Sequence, residues 1–238
     1  MRFVLHGSVW RHYDTMTRLR GQTIFRFAAH LRGSVIAMSI VNTTNDDASV
    51  AILELFPRQG EWRDGDYFSL PGNRMVELVN GHVEVLPVPS LLSQFIGRLV
   101  FLQMHGFVEQ ARLGIVMSAP TRVRISERHF REPDVLFVSQ ANSKRRQEQF
   151  WETADLVVEV ISPDDPDRDL VDKRRDYAAA GIAEYWMIDP RNDSIQVLHL
   201  RDGEYREVIR SGRTEHAVSR VLKGFRMDVE SLFAMARE

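Results

Sequence analysis

The run Leu156-Val157-Val158-Glu159-Val160-Ile161 limits the fold of this chain more than any other stretch. A continuous apolar run rich in β-branched residues, without polar alternation, marks a strand covered on both faces. Such a strand lies inside a sheet with a layer of structure on each side, which places the chain in the α/β (α+β) class. Glu159 sits in the middle of the run with a valine on each side. A carboxylate there is costly unless it is solvated, paired or bound to a metal. One face of the strand must therefore hold a polar site. Pairing with a core arginine and a chemical role are both open on these residues alone.

The surrounding sequence supplies the layers. Residues 74–79 and 82–86 are apolar-rich runs around Asn80-Gly81, a pair suited to a type I′ hairpin turn because both central positions need positive φ. Ser90 is placed to cap a helix running to about residue 108, with apolar positions at helical spacing. Strands are expected at 114–118, 121–125 and 133–138, then a short helix within 139–149. A helix over 167–180 closes on Gly181, the residue type favoured just past a helix C-terminus. Strands at 184–188, 194–200 and 204–209 follow, and a terminal helix at 227–235. This order predicts a mixed central β-sheet flanked by helices.

Residues 1–37 are unlike the rest, with six arginines against one acid, Asp14. Residues 1–48 are therefore expected to be an extension, disordered or translated from an upstream start with Met38 as the true first residue, with a polar linker at 42–49. The main domain is expected over 49–238. The apolar run at 35–41 is too short for a signal segment, and no run approaches a membrane span, so no membrane partner is expected. The sequence has no cysteine, which removes disulfides and thiolate–metal sites and agrees with a cytoplasmic location. The net charge of −2 argues against a passive nucleic-acid coat, though less against an enzyme whose bound metal faces the phosphate. Only three of the 31 basic residues are lysine: Lys144, Lys173 and Lys223. The eight histidines show no metal-ligand spacing, and no glycine-rich phosphate loop is present.

Two further residues point to chemistry. Asp134 opens the strand expected at 133–138. In the helix at 167–180, Leu170, Lys173, Arg174 and Tyr177 share one face at i, i+3, i+4 and i+7, while Asp169, Asp172, Arg175 and Asp176 are expected to point elsewhere. Lys173 or Arg174 could reach the carboxylates, and a lysine, compact and tunable, suits proton or transition-state work better than arginine. Asp164, Asp165, Asp167 and Asp169 read as helix-start residues favoured by the dipole, with Asp167 as a cap. Tyr185 and Trp186 read as strand packing.

The segments Arg131-Glu132-Pro133-Asp134-Val135, Asp155 through Pro163 around Glu159, and Arg168-Asp169-Leu170-Val171-Asp172-Lys173 onward to Gly181 resemble the Uma2 family of restriction endonucleases, in the PD-(D/E)XK nuclease superfamily. The similarity continues through Glu184-Tyr185-Trp186-Met187-Ile188-Asp189-Pro190 and back to Val76-Glu77-Leu78-Val79-Asn80-Gly81, spanning about residues 61–233. It implies a restriction-endonuclease-like core with Asp134 and Glu159 as metal ligands, joined by the backbone carbonyl of Val160, and Glu77 on the rim. It also implies that Lys173 supplies the catalytic lysine from the helix. The superfamily pattern puts that lysine two residues after the acidic ligand, where this chain has Ile161. The implied cofactor is Mg²⁺ or Mn²⁺, since carboxylate and carbonyl oxygens suit hard cations. The implied substrate is DNA, the chain admits a homodimer, and Arg122, Arg124, Arg128, Arg131 and Lys144-Arg145-Arg146 are the candidate DNA contacts. Two other readings compete: a catalytically silent binding or interaction module on the same fold, and a two-carboxylate glycosidase, which needs a cleft lined by aromatics.

Overall fold

A computed structural model describes the backbone of residues 16–19, 22–31, 34–41, 57–70, 75–162 and 165–238, and the side chains of 57–70, 75–162, 165–206 and 209–238. The chain divides into two compact units, Met1–Arg58 and Gln59–Glu238. In the first, β1 (Met16–Leu19), β2 (Gln22–Leu31) and β3 (Ser34–Val41) form an antiparallel sheet in that order. Met38 lies within β3, opposite Phe27. The linker expected at 42–49 and the boundary at 48/49 fall outside the described residues.

The second unit is built on a six-stranded mixed sheet and a four-stranded antiparallel one. The larger sheet runs β13 (Glu204–Ser211), β12 (Ser194–Arg201), β11 (Glu184–Asp189), β10 (Leu156–Val160), β9 (Val135–Ser139), β6 (Gly114–Ser118). β10 and β11 are its parallel pair, and the other neighbours are antiparallel. All five residues of β10 are buried, and they alternate between two cores. Leu156, Val158 and Val160 face one apolar cluster, which also contains Ile96, Val100, Met104 and Val108 from the long helix α2 (Leu91–Ala111). Val157 and Ile161 face the other, with Tyr177, Tyr185, Met187 and Leu198. The four α2 residues recur at every fourth position and are fully buried, each burial contributing roughly 1.5–3 kcal/mol.

Local chemistry fixes the element ends. Ser90 caps α2, accepting a hydrogen bond from the Ser93 amide at 3.1 Å. The helix runs three residues past the expected residue 108 because no glycine or proline intervenes. It ends on Arg112 in a left-handed conformation, φ 53°. β4 (Val76–Val79) and β5 (His82–Val85) meet at Asn80-Gly81, with φ of 50° and 80°. A Cβ on Gly81 would lie 2.6 Å from the Gly60 carbonyl oxygen, so glycine is required there. These strands join β8 (His129–Arg131) and β7 (Val123–Ser126) in the order β5-β4-β8-β7, and a short helix α1 (Asp64–Phe68) precedes them.

The strand expected at 133–138 is β9, Val135–Ser139, and β8 before it is not among the expected strands. β8 belongs to the smaller sheet and β9 to the larger, and Glu132-Pro133-Asp134 is the crossing between them. Proline cannot donate to a ladder, which helps end pairing at this point. The short helix expected within 139–149 is a 3₁₀ turn, Gln140–Arg145. The helix expected at 167–180 begins as a π turn (Arg168–Lys173) and continues as α3 (Arg174–Ala179), with Gly181 at φ 74° behind it. The terminal element splits into β15 (Arg226–Asp228), paired with β14 (His216–Val218), and helix α4 (Val229–Arg237). The split occurs because the Asp228 carboxylate caps α4, accepting from the Ser231 amide at 2.6 Å.

Candidate functional site

The ladder between β9 and β10 ends at the pair Val135–Val158, and the site begins one residue beyond. Asp134, released from the strand by Pro133, turns its carboxylate onto the next free amide of β10: the Val160 N–H donates to Asp134 Oδ2 at 2.7 Å. Glu159 lies beside it, 2% exposed. Its side chain takes the β10 face that carries Val157 and Ile161, which is the face covered by α3. There Glu159 Oε1 accepts from the Tyr177 hydroxyl at 2.5 Å and contacts the Lys173 ammonium at 2.8 Å. Lys173 Nζ also lies 3.3 Å from Asp169 Oδ1, while Asp169 Oδ2 accepts from the Ser162 amide at 3.2 Å. The sequence-predicted trio Asp134, Glu159 and Lys173 therefore lines one cavity of about 370 Å³, with Val160, Asp169, Glu132 and Arg168 also on its wall.

The inward face of the helix is not the one its apolar residues suggested. Asp169, Lys173, Asp176 and Tyr177 are buried, whereas Arg174 is exposed and donates to the Tyr205 carbonyl at 2.7 Å. Positions i, i+4, i+7 and i+8 also form one helical stripe. Here that stripe carries three charges and a tyrosine, so a reading anchored on Leu170 rotates the helix away from the site. Asp169 is thus a site residue and not a helix-start charge. Asp167 makes no side-chain capping bond, Asp165 is exposed, and Asp164 lies outside the described residues.

Glu77 is fully buried and does not line the cavity. Its Oε2 accepts from Arg131 at 2.7 Å and its Oε1 from the Glu132 amide at 2.8 Å. Arg131 forks onto Asp176 Oδ2 through Nε (3.0 Å) and Nη2 (2.6 Å). Arg131 is therefore an internal strut and not a DNA contact. Arg122 and Arg124 are also internally committed, to Glu132 at 2.9 Å and Asp64 at 2.7 Å, and Arg128 donates to the Gly60 carbonyl. Of the basic candidates, Arg128, Lys144, Arg145 and Arg146 are exposed. Tyr185 and Trp186 are core residues, as read; the Tyr185 hydroxyl also donates to the Asp169 carbonyl at 2.9 Å.

The electrostatics favour added positive charge. Burial pushes the Glu159 carboxyl up to about 8 against the pull of Lys173, and the neighbouring Asp134 and Asp169 push in the same direction. Asp134 is raised as well, chiefly by burial, with Lys173 and the Val160 amide opposing. Burial disfavours the Lys173 ammonium, but Glu159, Glu77, Asp169 and Asp134 outweigh it and hold its pKa above the ordinary lysine value. One ammonium thus faces more carboxylate than it neutralises.

That donor set fits a hard divalent cation. Asp134 and Glu159 offer carboxylate oxygens and β10 offers the Val160 carbonyl. Among the described residues Asp169 Oδ1 is buried with no hydrogen bond, only the 3.3 Å ion contact with Lys173. Among the described residues no three acidic or histidine side chains close a cage. Mg²⁺ does not need one, since it is commonly held by one or two carboxylates and keeps several waters.

Comparison with known proteins bears on this arrangement. The Uma2 family model, described as "Putative restriction endonuclease", matches residues 64–230. A solved structure from Anabaena variabilis ATCC 29413, described as "a putative nuclease belonging to DUF820", superposes with a TM-score of 0.62 at 16% identity. The match covers 76% of this chain and 99% of that one. The fold is the restriction-endonuclease-like one, a mixed α+β core. No protein of curated function matches the chain.

Proposed function

The chain belongs to the Uma2 family, and from that premise we propose that its cavity hydrolyses phosphodiester bonds of DNA as a divalent-metal-dependent endonuclease. The observation that carries this reading is the convergence of Asp134, Glu159 and Lys173 on one cavity wall. Mg²⁺ or Mn²⁺ would be held by Asp134, Glu159 and the Val160 carbonyl. Bound there, the cation would polarise the scissile phosphate and acidify a water molecule.

The remaining work belongs to the chain's own groups. Asp134 is fixed by the Val160 amide and Glu159 by the Tyr177 hydroxyl, so both carboxylates are held before substrate arrives. Lys173 remains protonated at neutral pH and can orient the attacking water or neutralise charge growing on the phosphoryl oxygens. It does so from the helix, because the strand position two residues after Glu159 is occupied by the buried, apolar Ile161. A glycosidase reading lacks support, since among the described residues no aromatic side chain lines the cavity. A silent module is favoured by one feature, the direct 2.8 Å contact of Lys173 with Glu159, which occupies a carboxylate oxygen.

Cleavage assays decide between these. Plasmid or single-stranded DNA should be cut only with Mg²⁺ or Mn²⁺, and EDTA should abolish cutting. Glu159→Gln should lose activity while keeping its fold, and Lys173→Ala should lose turnover yet still bind metal. Arg174→Ala, on the exposed flank, should remain active. A dead Arg174→Ala beside an active Lys173→Ala would overturn the lysine assignment. No cutting of any nucleic acid with any divalent ion would leave the silent module.

A further inference from the structure

Among the described residues two cations line the cavity, Lys173 and Arg168, and they differ in commitment. Lys173 is engaged by Glu159 and Asp169. Among the described residues Arg168 makes no ion pair, and its Nε is shut away from solvent with no hydrogen-bond partner. The arginines nearby behave differently, since Arg122, Arg124 and Arg131 each hold a carboxylate within 2.6–2.9 Å. A buried N–H without a partner forfeits its hydration for nothing in return, and native folds keep such groups rare. The donor is therefore best explained by an acceptor that arrives with a ligand.

The backbone gives the reason for its position. The π turn Arg168–Lys173 winds the chain so that Asp169 and Lys173 both reach the buried end of the cavity. Arg168 precedes them and is only partly buried. Single π turns of this kind recur at functional sites. The guanidinium thus shares the cavity with the carboxylates without being neutralised by any one of them.

We propose that Arg168 binds a phosphate of the substrate backbone, its guanidinium engaging non-bridging oxygens of a phosphodiester drawn up beside Asp134 and Glu159. The inference rests on the nuclease reading and adds to it the residue that grips the anion. A planar fork of N–H donors matches two phosphate oxygens, which a point-charge ammonium cannot do. Lys173, locked between two carboxylates, is poorly placed for that task.

Binding can be measured apart from cutting. The full-length protein and Arg168→Ala would be titrated into a short fluorescein-labelled DNA duplex, followed by anisotropy over a series of KCl concentrations. The buffer would contain EDTA, and the series would be repeated with Ca²⁺. Arg168→Ala should weaken binding about tenfold and flatten the dependence of log affinity on log salt by about 0.9, the value of one phosphate contact. Arg168→Lys should keep the salt slope and recover only part of the affinity. Both variants should melt with the wild type, because among the described residues Arg168 has no ion-pair partner to lose. Unchanged affinity and slope in Arg168→Ala would overturn the proposal, as would a wild type that binds no nucleic acid. A protein that binds through Arg168 but never cuts would keep this phosphate contact and discard the nuclease chemistry.

Discussion

Arg131 offers the most direct test of how this fold is held. The residue is 1% exposed, and its guanidinium links three elements: Glu77 of β4 at 2.7 Å, Asp176 of α3 at 2.6 Å, and its own strand β8. Replacing it by methionine preserves much of the volume but strands two buried carboxylates. Breaking such a network by deleting one partner costs about 3–5 kcal/mol. At roughly 2–4 °C per kcal/mol for a domain of this size, the melting temperature of Arg131→Met should fall by roughly 6–20 °C. Circular dichroism melts at pH 7 measure this. The deficit should also depend on pH. Burial raises the Asp176 carboxyl, but His129 and Arg131 outweigh it and hold its pKa at about 2, with Arg175 also 3.5 Å away. A depressed carboxyl adds stability above its unfolded value, near 4, and that stability is lost as pH falls through the folded value. The wild type should therefore weaken between about pH 4 and pH 2, and Arg131→Met should weaken less over that window, closing part of the gap. Asp176→Asn combined with Arg131→Met should destabilise by less than the sum of the single changes. A melting point within 2 °C of wild type at pH 7 (about 1 kcal/mol or less) would refute the strut assignment and return Arg131 to the candidates for DNA contact.

Three further outcomes are expected. Gly81→Ala, at φ 80° and 2.6 Å from the Gly60 carbonyl, should destabilise by about 1–3 kcal/mol, read as a lower urea midpoint with an unchanged slope. Ser90→Ala removes the cap bond to Ser93 and should cost about 1 kcal/mol in the same assay. Mg²⁺ at a hundredfold excess over its dissociation constant should stabilise the wild type by about 2.7 kcal/mol, and Glu159→Gln should lose most of that gain. An equal thermal shift in both proteins would remove Glu159 from the metal site.

The parts of this molecule that were legible in its sequence are those in which local pattern and tertiary role agree. Residues 156–161 require cover on both faces and have it, and Asn80-Gly81 requires positive φ and adopts it. Where the two disagree, the sequence misleads. Asp169 stands among acids at a helix start, where the dipole gives a sufficient explanation, and nothing along the chain says that this one turns inward. Arg131 stands among exposed and half-buried arginines, and only the β8–β9 crossing reveals that it is enclosed. Glu132 looked like part of a motif and proves to line the cavity, where Glu77 had been expected.

The common cause is the stripe that runs along the π turn and α3. Asp169, Lys173, Asp176 and Tyr177 cover a sheet face with polar groups, so this helix cannot be held by apolar burial alone. Its docking depends instead on Glu159, Arg131 and the Ser162 amide. The two networks do different work along one helix: Asp176 and Arg131 fasten its outer half to the smaller sheet, while Asp169 and Lys173 face the cavity. Replacing Glu77, Arg131 and Asp176 together by apolar residues of similar volume should therefore be better tolerated than removing Arg131 alone. No such exchange is open to Lys173 and Glu159, because their charge is what the proposed chemistry uses.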